Sequence, residues 1–178
     1  MQYSPLRSFE ELEMTTATLA PMHSRRLTLR VLSADDLDFV FELLSDDTTT
    51  AAMSWRVRTR KDAERWLNDR LADERNIGAS VYALDNRESG RIVGLCGFIV
   101  RGARALELGY AIHASSRRQG FATEAVEVAL HAARERGHRV YATIRPNNDA
   151  SLRVMERVGL GFVGERRGQR GSLLVYAT

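Results

Sequence analysis

The chain has one cysteine, Cys96, one lysine, Lys61, three prolines and no long apolar run. A single cysteine excludes an intramolecular disulfide. Without a stretch of about 20 consecutive apolar residues, or an apolar N-terminal segment of the signal-peptide type, the expectation is a soluble cytoplasmic protein with no membrane partner. Charge of one sign is also scarce. The net charge is +3 despite a pI near 9.4, too small a surplus to imply a nucleic-acid partner. His23, His113, His131 and His138 lack metal-ligand spacing, so no metal is expected. Neither G-x-x-x-x-G-K-[ST] nor a G-x-G-x-x-G after a strand occurs, which removes the two common nucleotide loops.

What is present suits one globular domain: 178 residues, 44% of them hydrophobic, enough for a sizeable core. Residues 1–23 are mixed in character. They are expected to be a poorly ordered extension, with a short helix near Phe9 to Met14 and a possible role in covering a partner subunit, ahead of a domain over 24–178. Periodicity predicts strand 25–32, helix 34–46, a loop around 47–57, helix 60–74, strand 78–85, turn 86–90, and strands 91–101 and 104–112. Helix 119–136, strand 139–144, helix 149–158 and strands 161–167 and 171–177 follow. Ser33-x-x-Asp36 and Thr59-x-x-Asp62 are capping signals before two of the helices. Antiparallel strands followed by one βαβ crossover give an α/β fold with a mixed, mostly antiparallel sheet of seven strands and helices on both faces.

The densest information lies between Glu107 and Gly164. Leu106 to Ile112 alternates as a strand, and a polar loop leads to Gly120. Ala122, Ala125, Val126, Ala129, Leu130 and Ala133 then form one helical stripe, and Arg139 to Ile144 is β-branched and aromatic. The first turn of a helix carries unpaired N–H groups and the positive end of the macrodipole. A glycine there lets an anion approach the backbone, so the amides of Arg118, Gln119, Gly120, Phe121, Ala122 and Thr123, with the Arg117 and Arg118 side chains, can cradle a pyrophosphate. The other arginines of the C-terminal half, among them Arg101, Arg104, Arg166, Arg167 and Arg170, could meet a coenzyme phosphate or an acidic substrate, although a solvated face is the commoner role.

Arg117-x-x-Gly120-x-Ala122 resembles the R/Q-x-x-G-x-G/A signature of the GNAT superfamily of acyl-CoA-dependent N-acyltransferases. The segments Arg26 to Arg30 with Asp35-Asp36, Phe121 to Ala125 and Arg145 to Gly159 resemble its ribosomal-protein N-acetyltransferase branch. That resemblance implies acetyl-CoA as co-substrate, wedged between two splayed central parallel strands. It also implies contacts to the coenzyme from the strand carrying Tyr110, Ala111 and Ile112 and from Asn148 and Ser151. Gly109 is either a bulge that starts the splay or a tight packing spot.

Transfer from a thioester to an amine needs a base, an oxyanion donor and an acid for the thiol. The resemblance points to Glu107 as the base, directly or through water. Many family members place a tyrosine four residues after the small residue of N-x-x-A/S; here that motif is Asn148-Asp149-Ala150-Ser151 and the position holds Met155. Ser151 is the implied substitute, with Asn148 capping its helix. Trp55 and Arg56, in the loop from Asp46 to Arg60, are candidates for acceptor contact, against the ordinary alternative of a tryptophan that plugs the core. Cys96 reads as a buried thiol. Three functions stay open: acetylation of a protein or peptide N-terminal α-amine; acetylation of a small amine such as a polyamine, an amino acid or an antibiotic, with Asp46-Asp47 as a possible polycation contact; and acyl-CoA binding without catalysis. A homodimer is possible.

Overall fold

Alternating side chains settle the layering of the computed structural model, which describes residues 18–51, 53, 55–100, 105–168 and 171–178. On strand β3 (Val81–Asn86), Tyr82 and Leu84 join one apolar cluster and Val81 and Ala83 another. β4 (Ile92–Val100) divides in the same way, with Cys96 and Phe98 on the first face and Leu95 and Ile99 on the second. Both faces of these strands are therefore buried, which explains why they read as nearly unbroken apolar runs.

The first face is covered by α4 (Phe121–Glu135) and α5 (Asp149–Val158), through Phe121, Ala125, Val126, Ala129, Leu130, Ala133, Val154 and Met155. The second is covered by α1 (Leu37–Ser45) and α3 (Arg60–Ile77), through Val40, Leu43, Leu44, Ala63 and Leu67. The expected helices on both faces are thus present. The two capping signals act as well: Thr59 and Asp62 bond each other's backbone N–H at 3.0 and 3.1 Å, and Asp36 accepts from Ser33 N–H at 2.7 Å. Each such cap contributes about 1 kcal/mol.

Among the described residues the sheet has eight strands where seven were expected. With β1 (Met22–His23), β2 (Leu27–Arg30), β5 (Ala105–Ile112), β6 (Arg139–Ile144), β7 (Gly161–Gly168) and β8 (Gly171–Ala177), its order is β1-β2-β3-β4-β5-β6-β8-β7. The extra strand is β1, two residues too short to show alternation. Residues 1–17, including the expected helix at 9–14, lie outside the described residues. Leu19, Ala20 and Met22, however, are buried in the main core, so the packed chain reaches back before residue 24. The helix expected over 34–46 opens as a 3-10 turn at Ala34–Asp36, and the expected loop after it contains a further short helix, α2 (Asp47–Thr50). A single turn is below the length that periodicity resolves.

All pairs are antiparallel except β5 with β6. That parallel ladder runs only from Ala105↔Arg139 to Glu107↔Tyr141. Beyond it β5 continues to Ile112 and β6 to Ile144 as separate strands, and this divergence opens the centre of the sheet.

An ion pair ties the first half of the fold to α4. Glu124 accepts from Ser24 Oγ at 2.7 Å, Arg26 N–H at 2.8 Å and Arg26 Nε at 2.8 Å. Burial alone would raise its pKa, but the bonds from Ser24 and Arg26 outweigh that and hold the carboxyl below its ordinary value. A depressed carboxylate stabilises the fold above the unfolded-state pKa of about 4.3 and stops doing so as pH falls through the lower folded value. Glu124→Gln is therefore expected to unfold at a lower temperature than the parent at pH 7. The difference should shrink and close as pH falls below about 4, read from thermal unfolding midpoints across pH. A gap that persists unchanged into acid would assign the loss to packing instead.

Candidate active site

Where β5 and β6 part, a cavity of about 470 Å³ opens between them and the β7–β8 hairpin. Its walls bring together six of the residues singled out from the sequence, Glu107, Gly109 and Tyr110 from β5, Asn148 and Ser151 from the start of α5, and Trp55 from the loop before α3, but none of the segment from Arg117 to Thr123.

Glu107 is the last β5 residue paired with β6, so its side chain sits at the fork. Thr143 Oγ1 donates to its Oε1 at 2.6 Å, and Arg166 Nη2 lies 3.4 Å from the same oxygen. The carboxylate is held from two elements while its side chain keeps only 12% of its exposure. Across the cavity Asn148 caps α5, its Oδ1 accepting from Ser151 N–H at 3.2 Å. Its capping role follows from its short acceptor side chain at that position. The cap places Ser151 in the first turn, on the cavity wall. Met155 is fully buried and also reaches that wall, so no phenol comes from the α5 position that usually holds a tyrosine.

Tyr110 brings one from another element. Burial pushes its phenol up to about 12, eased a little by Ser151 alongside. Oη nevertheless meets no partner at hydrogen-bonding geometry among the described residues. A buried hydroxyl without a partner costs about 1–3 kcal/mol, a cost tolerated mainly at functional positions. The sequence reading placed Tyr110 only as a coenzyme contact; the signal for more, a tyrosine on the strand facing the Asn148 motif, depends on a distance that sequence does not carry.

Gly109 is a tight packing spot. A Cβ built there would lie 2.2 Å from Cζ2 of Trp55, and Gly109 pairs with Gly97 of β4 in regular register, with no bulge. Trp55 is both things weighed for it, a core plug with 6% exposure and a cavity wall. Gly109→Ala is expected to cost about 1–3 kcal/mol, because the indole must shift in a filled core. Urea unfolding followed by tryptophan fluorescence should show both the lower midpoint and an altered native emission; unchanged emission would mean that the backbone moved instead.

The loop expected to hold an anion runs further before its helix starts. Gly120 takes the left-handed conformation at φ 84°, the N-cap of α4, and Arg118 is left-handed too at φ 61°. The helix begins at Phe121 rather than 119. Glu124 N–H bonds Gly120 O at 3.1 Å, and among the described residues no backbone carbonyl takes the amides from Arg118 to Thr123. Those amides, the glycine and the open edge of β5 from Leu108 through Ala111 to Ile112 fit a pyrophosphate and its extended arm. Arg118 and Gln119 are exposed at the loop. Arg117 is not turned to it: its guanidinium bonds Ile112 O at 3.2 Å and Thr49 Oγ1 at 2.5 Å, with Asp46 at 3.7 Å.

Asp46 and Asp47 are likewise spent within the fold. Asp46 caps α2, and hydrogen bonds from Thr49 and Thr48 hold it well below the usual carboxylate range. Asp47 pairs with Arg56, which does not line the cavity. Cys96 is fully buried, and burial pushes its thiol up. Among the described residues no group of three His, Cys, Asp or Glu side chains is arranged for a metal ion, and no helix is long and apolar enough to cross a membrane.

The family model for the acetyltransferase (GNAT) domain matches residues 26–161, from β2 through α5 to the start of β7. The chain belongs to the GNAT acetyltransferase family. It is an acetyl-CoA-dependent N-acetyltransferase, so the reading as a binding module without catalysis is not retained. YkkB of Bacillus subtilis, an uncharacterised protein, is 26% identical over 156 residues, 85% of this chain and 91% of that protein. The crystal structure of a GNAT acetyltransferase from Bacillus anthracis superposes with a TM-score of 0.76 at 25% identity, covering 88% of this chain and 96% of that one. A ribosomal L7/L12 alpha-N-protein acetyltransferase, RimL, solved with coenzyme A, shares the fold at 18% identity and TM-score 0.76, covering 87% and 94%.

Proposed function

We propose that this GNAT acetyltransferase acts on the N-terminal α-amine of a protein or peptide, with Glu107 as base and Ser151, backed by Tyr110, as acid. The observation that carries the reading is Glu107 itself, fixed by Thr143 and Arg166 at the fork of the sheet beside an open cavity. An α-amine with a pKa of about 7.7–8.0 is neutral in roughly one molecule in ten at pH 7, whereas a lysine near 10.4 is neutral in fewer than about one in a thousand. One carboxylate is adequate help for the former. The segments shared with the ribosomal-protein branch, and the fold shared with the L7/L12 enzyme, point the same way.

Acetyl-CoA supplies an acetyl group already activated as a thioester. The amides from Arg118 to Thr123 hold its pyrophosphate against the positive end of α4, and the open edge of β5 offers the backbone N–H of Tyr110 or Ile112 to the carbonyl oxygen, that of Ala111 being turned to β4. Glu107 takes a proton from the incoming ammonium. The neutral nitrogen then bonds the thioester carbon, and as the C–S bond breaks Ser151 Oγ gives its proton to the departing sulfur and takes up the second proton shed by the nitrogen, steadied by Tyr110 Oη alongside. Trp55 walls the acceptor side.

The 470 Å³ volume also lies within the range of small-molecule sites, which favours a small amine as the second reading. A polyamine is the weaker form of it, because Asp46 and Asp47 face other partners. The test is incubation with acetyl-CoA and a mixture of peptides differing at the N-terminal residue, alongside free amines, with mass spectrometry of the products. Acetyl groups on peptide α-amines are expected; acetylated amines with untouched peptides would shift the assignment to the second reading.

A further inference from the structure

The acceptor side of the cavity holds more positive charge than an amine calls for. An amine arrives as an ammonium, so a wall made only to receive amines gains from being acidic or neutral. The charged side chains on the described walls are Glu107, Arg145, Arg166 and Arg167, three guanidiniums to one carboxylate. Arg166 reaches from β7 to Glu107 by a single nitrogen at 3.4 Å and keeps 50% of its side-chain exposure. A guanidinium has five N–H donors, so most of its fork stays available. Arg167 follows it on the same exposed strand. Neither Asp46 nor Asp47 offsets this charge, since one caps α2 and reaches Arg117 and the other pairs with Arg56. The remaining wall on this side, Met53, Trp55 and Leu173, is apolar.

We propose that the acceptor carries a carboxylate close to its amine, received by Arg166 while Glu107 takes the ammonium, with Arg167 adding positive charge to the same wall. The inference rests on the acetyltransferase reading of this cavity and names its substrate class. A singly charged carboxylate suits the site better than a phosphate, because Glu107 sits beside Arg166 and would repel a dianion more strongly. The chemistry has two sources, a free amino acid or a peptide with Asp or Glu within its first residues. The phosphate cradle of the coenzyme lies elsewhere, at the N-terminus of α4.

The test uses paired acceptors that differ only in the carboxylate: Ala-Asp and Ala-Asn peptides with blocked C-termini, and a free amino acid with its amide at matched concentrations of neutral amine. Full-length parent is compared with Arg166→Gln/Arg167→Gln. The carboxylate member of at least one pair should show a KM lower by about tenfold or more in the parent, the scale of one charge-assisted contact. That ratio should fall to near one in the variant, while the dissociation constant of coenzyme A, measured by calorimetry, stays within about twofold because the phosphate contacts are untouched. The pair that shows the ratio identifies the source. Equal KM values for both members of both pairs in the parent, or a variant that weakens coenzyme A and leaves the ratio intact, would overturn the proposal. If the parent acetylates no acceptor, the acceptor reading fails separately. Calorimetric binding of the same pairs in the presence of coenzyme A then decides the carboxylate preference by itself.

Discussion

Glu107→Gln is expected to lower kcat/KM for a peptide acceptor by about 10²- to 10³-fold at pH 7, the range of a positioned general base. Glutamine keeps the shape and can still accept from Thr143 Oγ1, which donates to the carboxylate at 2.6 Å, so the fork of the sheet should hold. What is lost is the proton acceptor. An α-amine with a pKa near 8 is mostly ammonium at pH 6 and mostly neutral by about pH 9. The need for a base declines along that range, so the deficit of the variant should narrow as pH rises. Initial rates from pH 6 to 9 at saturating acetyl-CoA give the profile. A deficit of constant size would make Glu107 a positioning group, and no deficit would remove it from the reaction. Coenzyme A affinity, measured in parallel, should be unchanged, since the amides proposed to hold its phosphates lie at the start of α4.

Ser151→Ala and Tyr110→Phe are each expected to lower kcat by about 10- to 100-fold, and the double variant to be no worse than the poorer single, as for groups that act as a unit. The phenol is pushed up to about 12 by burial, so it keeps its proton throughout the range in which the acceptor amine titrates. No alkaline loss of rate should come from it below about pH 11. Tyr110→Phe also removes a buried hydroxyl that lacks a partner, so this variant should be at least as stable as the parent, read from its thermal midpoint. A rate loss together with equal or higher stability is hard to obtain from a merely structural tyrosine. Two independent losses that multiply in the double variant would separate the residues and leave Ser151 as the acid alone.

Local signals in this chain were strong wherever a motif is continuous in sequence. The helix over 149–158 and the strand over 139–144 match the observed bounds, because an Asn cap, a left-handed glycine and a β-branched run act over neighbouring residues. The stripe of α4 was legible for the same reason. Short elements were not. β1 and α2 are stabilised by what they pair with or pack against, β1 by the register Met22↔Leu29 and α2 by its Asp46 cap and the neighbouring Arg117. The side chains of Arg117 and Arg56 went astray in the same manner, each drawn to an acidic partner that lies nearby in space or across a turn.

The sequence by itself determined the family and, through it, the coenzyme, because the segments that carry the resemblance, Arg117 to Ala122 and Arg145 to Gly159, are each continuous in the chain. It also determined that Met155 stands where a phenol is usual. Only the tertiary structure decided which phenol lies beside Ser151, why Gly109 must lack a side chain beneath Trp55, and which arginines line the acceptor wall. Each of these rests on a contact between elements distant along the chain, and such contacts exist only once β5 and β6 have parted and the β7–β8 hairpin has closed beside them.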